Sequence, residues 1–303
     1  MGLLPMDLDI LPPSDDRVFK LILTSSESKP VLMDLISAII GSKVADVEVR
    51  GNEIAPGDTE EKAERLDVNC RIKDGTQIDL EMQASHIREE SDEGHQNLKG
   101  KGIYYLCDLH SSQPSKGVRR YDKLSKTYQV TFCSYTVFPK REEYVNSFSL
   151  RHDVDNELLS DAIRVVYIEL SKLQKIMKKS VKDMSDLDKW ALFLQYAGNP
   201  KYRENLNEVI DSKEELQMAG NLLMSISQDE NERAVFRSRR MYESDLISNL
   251  ATAEDVGRKE GRKEGRKEGM RDVARNLLSM GLPISQIALA TDLTENEIRG
   301  LLS

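Results

Sequence analysis

The chain has no apolar run long enough to span a bilayer, and its N-terminus lacks the basic and apolar regions of a secretory signal. These absences predict a protein without a membrane-spanning helix and a cytoplasmic location. Cysteine is scarce, because only Cys70, Cys107 and Cys133 occur. They are scattered and odd in number, which argues against disulfides and against zinc. The four histidines form no recognisable metal or nucleophile pattern either.

Excess positive charge is also missing, since the net charge is −9. This argues against a protein that coats DNA through its overall charge, and it gives more weight to local basic clusters. A chain of 303 residues can bury a substantial core and has room for about two domains.

The stretch 65–83 has the alternation of a β-hairpin around an Asp-Gly pair. Its alternating apolar residues are Val68, Cys70 and Ile72 on the first arm and Ile78, Leu80 and Met82 on the second. A two-residue loop would mix the two faces. A three-residue loop over 73–75, with Gly75 in the left-handed position, keeps the apolar face uniform. This register predicts that Val68 pairs with Leu80 and Cys70 with Ile78.

The same register places Asp67 across from Glu81 on the polar face, with Cβ atoms roughly 4.5 to 5.5 Å apart. Gln83, Asn69 and Asp79 share that face. Like charges so close repel, and a divalent cation such as Mg²⁺ between the carboxylates would explain the arrangement. The alternative is that this face is simply the wet side of an antiparallel sheet.

The surrounding pattern predicts a helix, three strands, a helix and a strand. The elements are a helix capped by Ser14 and running to about residue 23, a second helix from Pro30 to Gly41, a strand from Val44 to Arg50, a loop over 51–64, the hairpin, a helix over about 92–110 and a strand from Tyr128 to Phe138. Segments 143–152 and 163–170 have strand-like composition and would widen the sheet.

In this order the motifs resemble the PD-(D/E)XK nuclease superfamily, in particular the transposase-like branch with the Rpn recombination-promoting nucleases. The motifs are Asp16 with Phe19-Lys20, Arg65-Leu66-Asp67-Val68 and Leu80-Glu81-Met82-Gln83. The resemblance covers roughly residues 8 to 170. It implies an α/β restriction-endonuclease-like core, α-β-β-β-α-β with a mixed sheet flanked by helices, followed by a helical C-terminal region.

The resemblance also implies chemistry: a Mg²⁺-dependent endonuclease on DNA, with Mn²⁺ as a possible substitute and a role in recombination or transposition. Asp67, Glu81 and the backbone carbonyl of Met82 would hold the ion. Gln83 stands where most of the superfamily has lysine, so it could orient a water but adds no charge. Asp16 would bind a second ion or a water. The alternative for Asp16 is an acid that matches the helix dipole.

Basic residues are expected to contact the DNA backbone. They are Lys20, Lys99, Lys101, Lys116, Arg119, Arg120 and Lys123. The alternative is ordinary solvated lysines and a solvated loop. Two other functions stay open: a nuclease-like protein that binds DNA or a partner without cutting, and a glycosidase with paired acids, which the lack of sugar-stacking aromatics disfavours.

Four segments are predicted: a nuclease-like domain over 1–170, a helical accessory region over 171–256, a charged linker over 257–269 and a helix-turn-helix-like tail over 270–303. Trp190 is expected in the core of the accessory layer. The linker repeats Gly-Arg-Lys-Glu and predicts a partly helical tether. Thr294 to Glu297 is a capping box. The tail could bind DNA or a partner protein, and the C-terminal helices could form a homodimer.

Overall fold

A computed structural model describes residues 3–50, 67–84, 92–113 and 120–301. The helices are α1 (Asp16–Thr24), α2 (Lys29–Ile40), α3 (Asp92–Ser111), α4 (Asp186–Tyr196), α5 (Arg203–Asp211), α6 (Glu214–Gln228), α7 (Glu230–Ser279), α8 (Ile284–Thr291) and α9 (Glu295–Arg299). The strands are β1 (Val47–Val49), β2 (Val68–Ile72), β3 (Gln77–Gln83), β4 (Thr127–Cys133), β5 (Val145–Phe148) and β6 (Ile163–Glu169). The chain divides into two compact units, Met1–Ala234 and Val235–Ser303.

The six strands form one sheet in the order β1-β2-β3-β4-β6-β5. Strands β3, β4 and β6 run parallel, whereas β1, β2 and β5 pair antiparallel with their neighbours. Helix α3 connects β3 to the parallel strand β4, as a parallel crossover requires. The predicted α/β architecture with a mixed sheet flanked by helices is therefore confirmed.

The hairpin has the predicted register. Val68 pairs with Leu80 and Cys70 with Ile78. The amide of Ile72 donates to the carbonyl of Thr76 at 3.0 Å, which closes a three-residue loop. Gly75 has φ of +93°, a conformation that favours glycine.

The apolar face of the hairpin packs beneath α1. Phe19 of α1 is fully buried, and its ring centroid lies 5.5 Å from that of Phe132 on β4. The polar face is also buried, since Asp79 has 0% and Glu81 only 3% of its surface exposed. The alternative that this face is the wet side of a sheet is therefore wrong. Helix α3 lies over it, with Leu98 and Leu106 packed against residues of β4 and β6.

Several predicted boundaries are corrected. Asp15, not Ser14, caps α1, because its carboxylate accepts from the amides of Arg17 and Val18. Strand β1 is shorter than 44–50 and β5 shorter than 143–152. Strand β4 ends at Cys133 rather than at 138. Buried Glu169 instead binds the amides of 137 and 138 at 2.6 and 2.9 Å, so these amides leave the strand pairing.

The helices α4, α5 and α6 pack as a layer with α1 and α2. Trp190 of α4 is fully buried, as predicted, and its Nε1 donates to Asp34 at 2.8 Å. Among the described helices, none is both long and apolar enough to cross a membrane.

The Gly-Arg-Lys-Glu repeats lie inside α7, a helix of 50 residues, where a partly helical tether was predicted. The three tail helices enclose a core of Ala274, Ile287, Leu293 and Ile298. The predicted capping box is present, with Thr294 and Glu297. Leu289 of α8 is 89% exposed. The four domain boundaries stay predictions.

Candidate active site

The side chains of Asp67 and Glu81 accept hydrogen bonds from backbone amides of the same hairpin. The amide of Asp67 donates to Oε1 of Glu81 at 3.1 Å, and the amide of Met82 donates to Oδ2 of Asp67 at 2.9 Å. The two acids therefore stand side by side at the end of the hairpin, as its register predicted. Each carboxylate is held by a backbone amide of the hairpin, and Glu81 lies within β3, which is the kind of support that a reactive pair requires.

A lysine of α3 completes this pair. Lys101 donates from Nζ to Oε2 of Glu81 at 2.9 Å, and Nζ also lies 5.1 Å from the ring centroid of Tyr105. Burial lowers the pKa of Lys101, but the charge and hydrogen bond of Glu81 outweigh it, so the pKa lies above its ordinary value. The sequence placed Lys101 among DNA-backbone contacts. The structure places it on a catalytic candidate.

Gly102 allows this close approach of helix to sheet. A Cβ atom at this position would lie 2.7 Å from the hydroxyl oxygen of Tyr167 on β6, far inside van der Waals contact. Any larger residue at this position would require the Tyr167 side chain to move, and glycine avoids this. The sequence shows this glycine but gives no sign of what it faces.

Asp67 has an unusual pKa. Burial raises it, and the neighbouring charge of Glu81 raises it further, to about 7. The amide of Met82 opposes the shift, while the charge of Asp16 adds to it. Raised pKa values of this kind concentrate at functional sites. Asp67 is therefore poised to gain or lose a proton near neutral pH.

Asp79 is a third acid that sequence reasoning noted only as a neighbour. It lies in register between Asn69 of β2 and Gln129 of β4. Both of its carboxylate oxygens are buried, with no hydrogen bond of 3.5 Å or less from the described residues. Burial first, and then the charge of Glu81, raise its pKa well above the ordinary value, although the Gln129 side chain partly offsets this rise. The sequence signal for Asp79 was its place on the polar face formed by alternate residues 77, 79, 81 and 83.

The donor set suits a hard cation that keeps most of its water. Asp67 and Glu81 offer carboxylate oxygens, and Mg²⁺ is commonly held by one or two carboxylates. Within the described ranges no three or more His, Cys, Asp or Glu residues gather as a cage for a metal. The two acids, with the carbonyl of Met82, therefore fit Mg²⁺ or Mn²⁺ better than an ion that requires a full protein shell.

The other predicted site residues lie nearby in the fold. Gln83 is the last residue of β3, and its carbonyl accepts from the amide of Ser134 at 3.1 Å. Asp16 begins α1, and its Oδ1 accepts from the amide of Arg17 at 2.7 Å. Lys20 lies one helical turn further, on the same side of α1 and half-buried.

The predicted DNA-contacting residues have different surroundings in the structure. Nζ of Lys99 lies 5.0 Å from the ring centroid of Phe138. Arg120 pairs with Asp122 at 2.6 Å, and Lys123 is exposed beside them. Lys116 and Arg119 lie outside the described residues. Each of these contacts with DNA stays a prediction.

The comparison with protein families decides the assignment. The model of the PD-(D/E)XK nuclease family transposase matches residues 13–253. The chain belongs to this family. Curated proteins and solved structures gave no significant match. The matched range includes the acid pair, α3 and all six strands of the described sheet, so the family assignment rests on the whole core.

Proposed function

We propose that the chain is a metal-dependent endonuclease that hydrolyses phosphodiester bonds in DNA, with a role in recombination or transposition. The observation that carries the proposal is the pair of Asp67 and Glu81, held together by backbone amides, in which Glu81 is buried and paired with Lys101. Membership of a nuclease family of transposases supports a nucleic-acid substrate. The Rpn branch is the proposed relative within that family.

Asp67 and Glu81, with the carbonyl of Met82, would hold Mg²⁺, or Mn²⁺ in its place. Once bound, the ion lowers the pKa of a water and neutralises charge on the phosphate. Gln83 can accept or donate a hydrogen bond and would orient the attacking water. Asp16 would hold a further water, since its charge acts on Asp67.

Lys101 would supply the positive charge that Gln83 lacks. Its side chain is 37% exposed while that of Glu81 is 4% exposed, so the ammonium group has access both to the buried acid and to a substrate. A fixed charge near the phosphate stabilises the negative charge that grows in the transition state. Lys101 is thus proposed as part of the reacting centre.

The remaining basic residues would contact the DNA backbone without reading bases. They are Lys20, Lys99, Lys116, Arg119, Arg120 and Lys123. A cytoplasmic location and a homodimer through the C-terminal helices complete the proposal.

Nicking of supercoiled plasmid tests the activity. The purified protein should nick the plasmid with Mg²⁺ and stop when a chelator is added. Asp67→Asn and Glu81→Gln keep the side-chain shapes and should each lower the rate at least about 100-fold. Glu143→Gln is the matched control, since Glu143 is an exposed acid outside the pair. Cleavage that survives both active-pair variants would contradict the proposal.

A second function is favoured by one contact. Because Lys101 already pairs with Glu81, the acid is compensated without a metal. A protein of this kind could bind DNA or a partner without cutting. Binding of labelled DNA by a protein that never nicks it, with Mg²⁺ or with Mn²⁺, would support this alternative.

A further inference from the structure

The middle of α7 is exposed on every side. Every residue from 251 to 269 is exposed, and within the described part of the chain the first buried residue of α7 is Ala274. Apolar side chains are exposed as well, with Tyr242 at 70%, Leu246 at 46% and Val256 at 48%. A helix whose apolar residues face water gains little stability from packing against its own chain.

The helix also contains four glycines at a spacing of four, from Gly257 to Gly269. Each glycine in a helix costs about 1 kcal/mol relative to alanine. A Cβ atom at any of these four positions would meet nothing within 4 Å, so no contact with the described residues explains them. Leu246, Leu250 and Ala253 precede Gly257 at spacings of four, three and four, and with Gly257 and Gly261 they lie within about 40° of one another's mean direction around the helix. These five residues are here called the seam.

The charges of this region are divided into two blocks. Residues 241–257 contain four acids and no basic residue. Residues 258–271 contain seven basic residues and three acids. The blocks have equal length within a few residues and opposite net charge, and they meet at Gly257.

We infer that two copies of the chain pair antiparallel along α7, centred near Gly257. This deepens the homodimer in the proposed function and rests on it. An antiparallel pair sets the acidic block of one copy against the basic block of the other, twice. A parallel pair would set each block against its own kind, which is unfavourable.

The antiparallel register also places small residues at its centre. About a centre at 257, Ala253 of one copy faces Gly261 of the other. Leu250 and Leu246 then lie beside Glu264 and Glu268, close to these small residues. Glycines let two helices approach closely, so the leucines gain a contact surface that one chain does not provide. The overlap of about 30 residues spans roughly 45 Å.

The oligomeric state tests the pairing. Full-length wild type should be a dimer by sedimentation equilibrium at micromolar concentration. Leu246→Asp with Leu250→Asp should make it a monomer, while Leu289→Asp, at an 89% exposed residue of α8, should leave the dimer intact. High salt should weaken the dimer because the blocks lose their attraction. A wild type that stays monomeric at about 100 μM, where a pair with a dissociation constant of about 1 μM would be mostly dimeric, would overturn the inference.

Single cysteines decide the orientation, in a Cys107→Ser background because Cys107 is the exposed native thiol. Gly257→Cys lies at the centre and should form a disulfide dimer under mild oxidation. Gly265→Cys should not, since its antiparallel counterpart is position 249. Equal cross-linking of both would mean a parallel pair and overturn the inference. Thr252→Cys, off the seam, measures random collision. Plasmid nicking by the same variants reports the nuclease proposal separately.

Discussion

Two regions of this chain handle charge in opposite ways. In the sheet, Asp67, Asp79 and Glu81 are buried or nearly so, and one lysine faces them. In α7, a whole block of acids and a whole block of bases lie in water. Unmatched charge is stable in water but costly in a core. Its presence in the sheet therefore points to a function, whereas its pattern in α7 points to a partner.

The largest effect is expected from a change at Lys101, which forms an ion pair with Glu81 at the edge of the acid pair. Lys101→Met should lower plasmid nicking roughly 100-fold, because it removes the fixed positive charge beside Glu81. Lys101→Arg should recover part of the rate, since it keeps the charge. Lys175→Met serves as the control, because Lys175 is exposed and pairs with exposed Glu142.

Equal rates for Lys101→Met and wild type would break the comparison. Lys101 and Glu81 would then form an ordinary structural ion pair, and the sheet would not differ from α7 in the use of its charges.

A smaller effect is expected in the way the free energy of unfolding changes with pH. The pKa of Asp67 is about 7 in the folded protein against an ordinary 3.8. The stability that the protonated Asp67 side chain contributes to the folded protein is therefore fully present below about pH 4 and is lost as the pH rises through about 7. Asp67→Asn removes this loss. In chelator at pH 8 it should be more stable than wild type by at least about 1 kcal/mol, measured by urea unfolding.

The gain of Asp67→Asn should shrink towards pH 4, where both side chains are neutral. Glu143→Gln, at an exposed acid, is the reference. A gain that is the same at pH 4 and pH 8 would show that burial of charge is not its cause. Mg²⁺ should reverse the order at pH 8, because only the wild type would bind it at this pair.

The smallest effect concerns the tail. Thr294→Ala removes the hydroxyl that accepts from the amide of Glu297 and should destabilise α9 by about 1 kcal/mol. Hydrogen exchange should quicken in α8 and α9 and stay unchanged in the sheet, since the two units have separate cores. Faster exchange in β3 would show that the units are energetically coupled, and the comparison would need revision.

The sequence by itself determined the hairpin and its face of acids. Strict alternation in two arms and a glycine at the end of the loop leave one register that keeps Val68 opposite Leu80, and the structure has this register. The capping box at Thr294 was equally local. Such features depend on neighbours a few residues away, so a pattern along the chain contains them.

Only the tertiary structure decided what lies on that face. Whether acids beside Ile78 and Leu80 meet water or a helix depends on α3, which packs on the sheet through Leu98 and Leu106 and leaves room for Tyr167 at Gly102. That packing turns a wet face into a buried one and brings Lys101 to Glu81. The burial, the ion pair and the raised pKa of Asp67 are properties of distances between segments, which no spacing along the chain encodes.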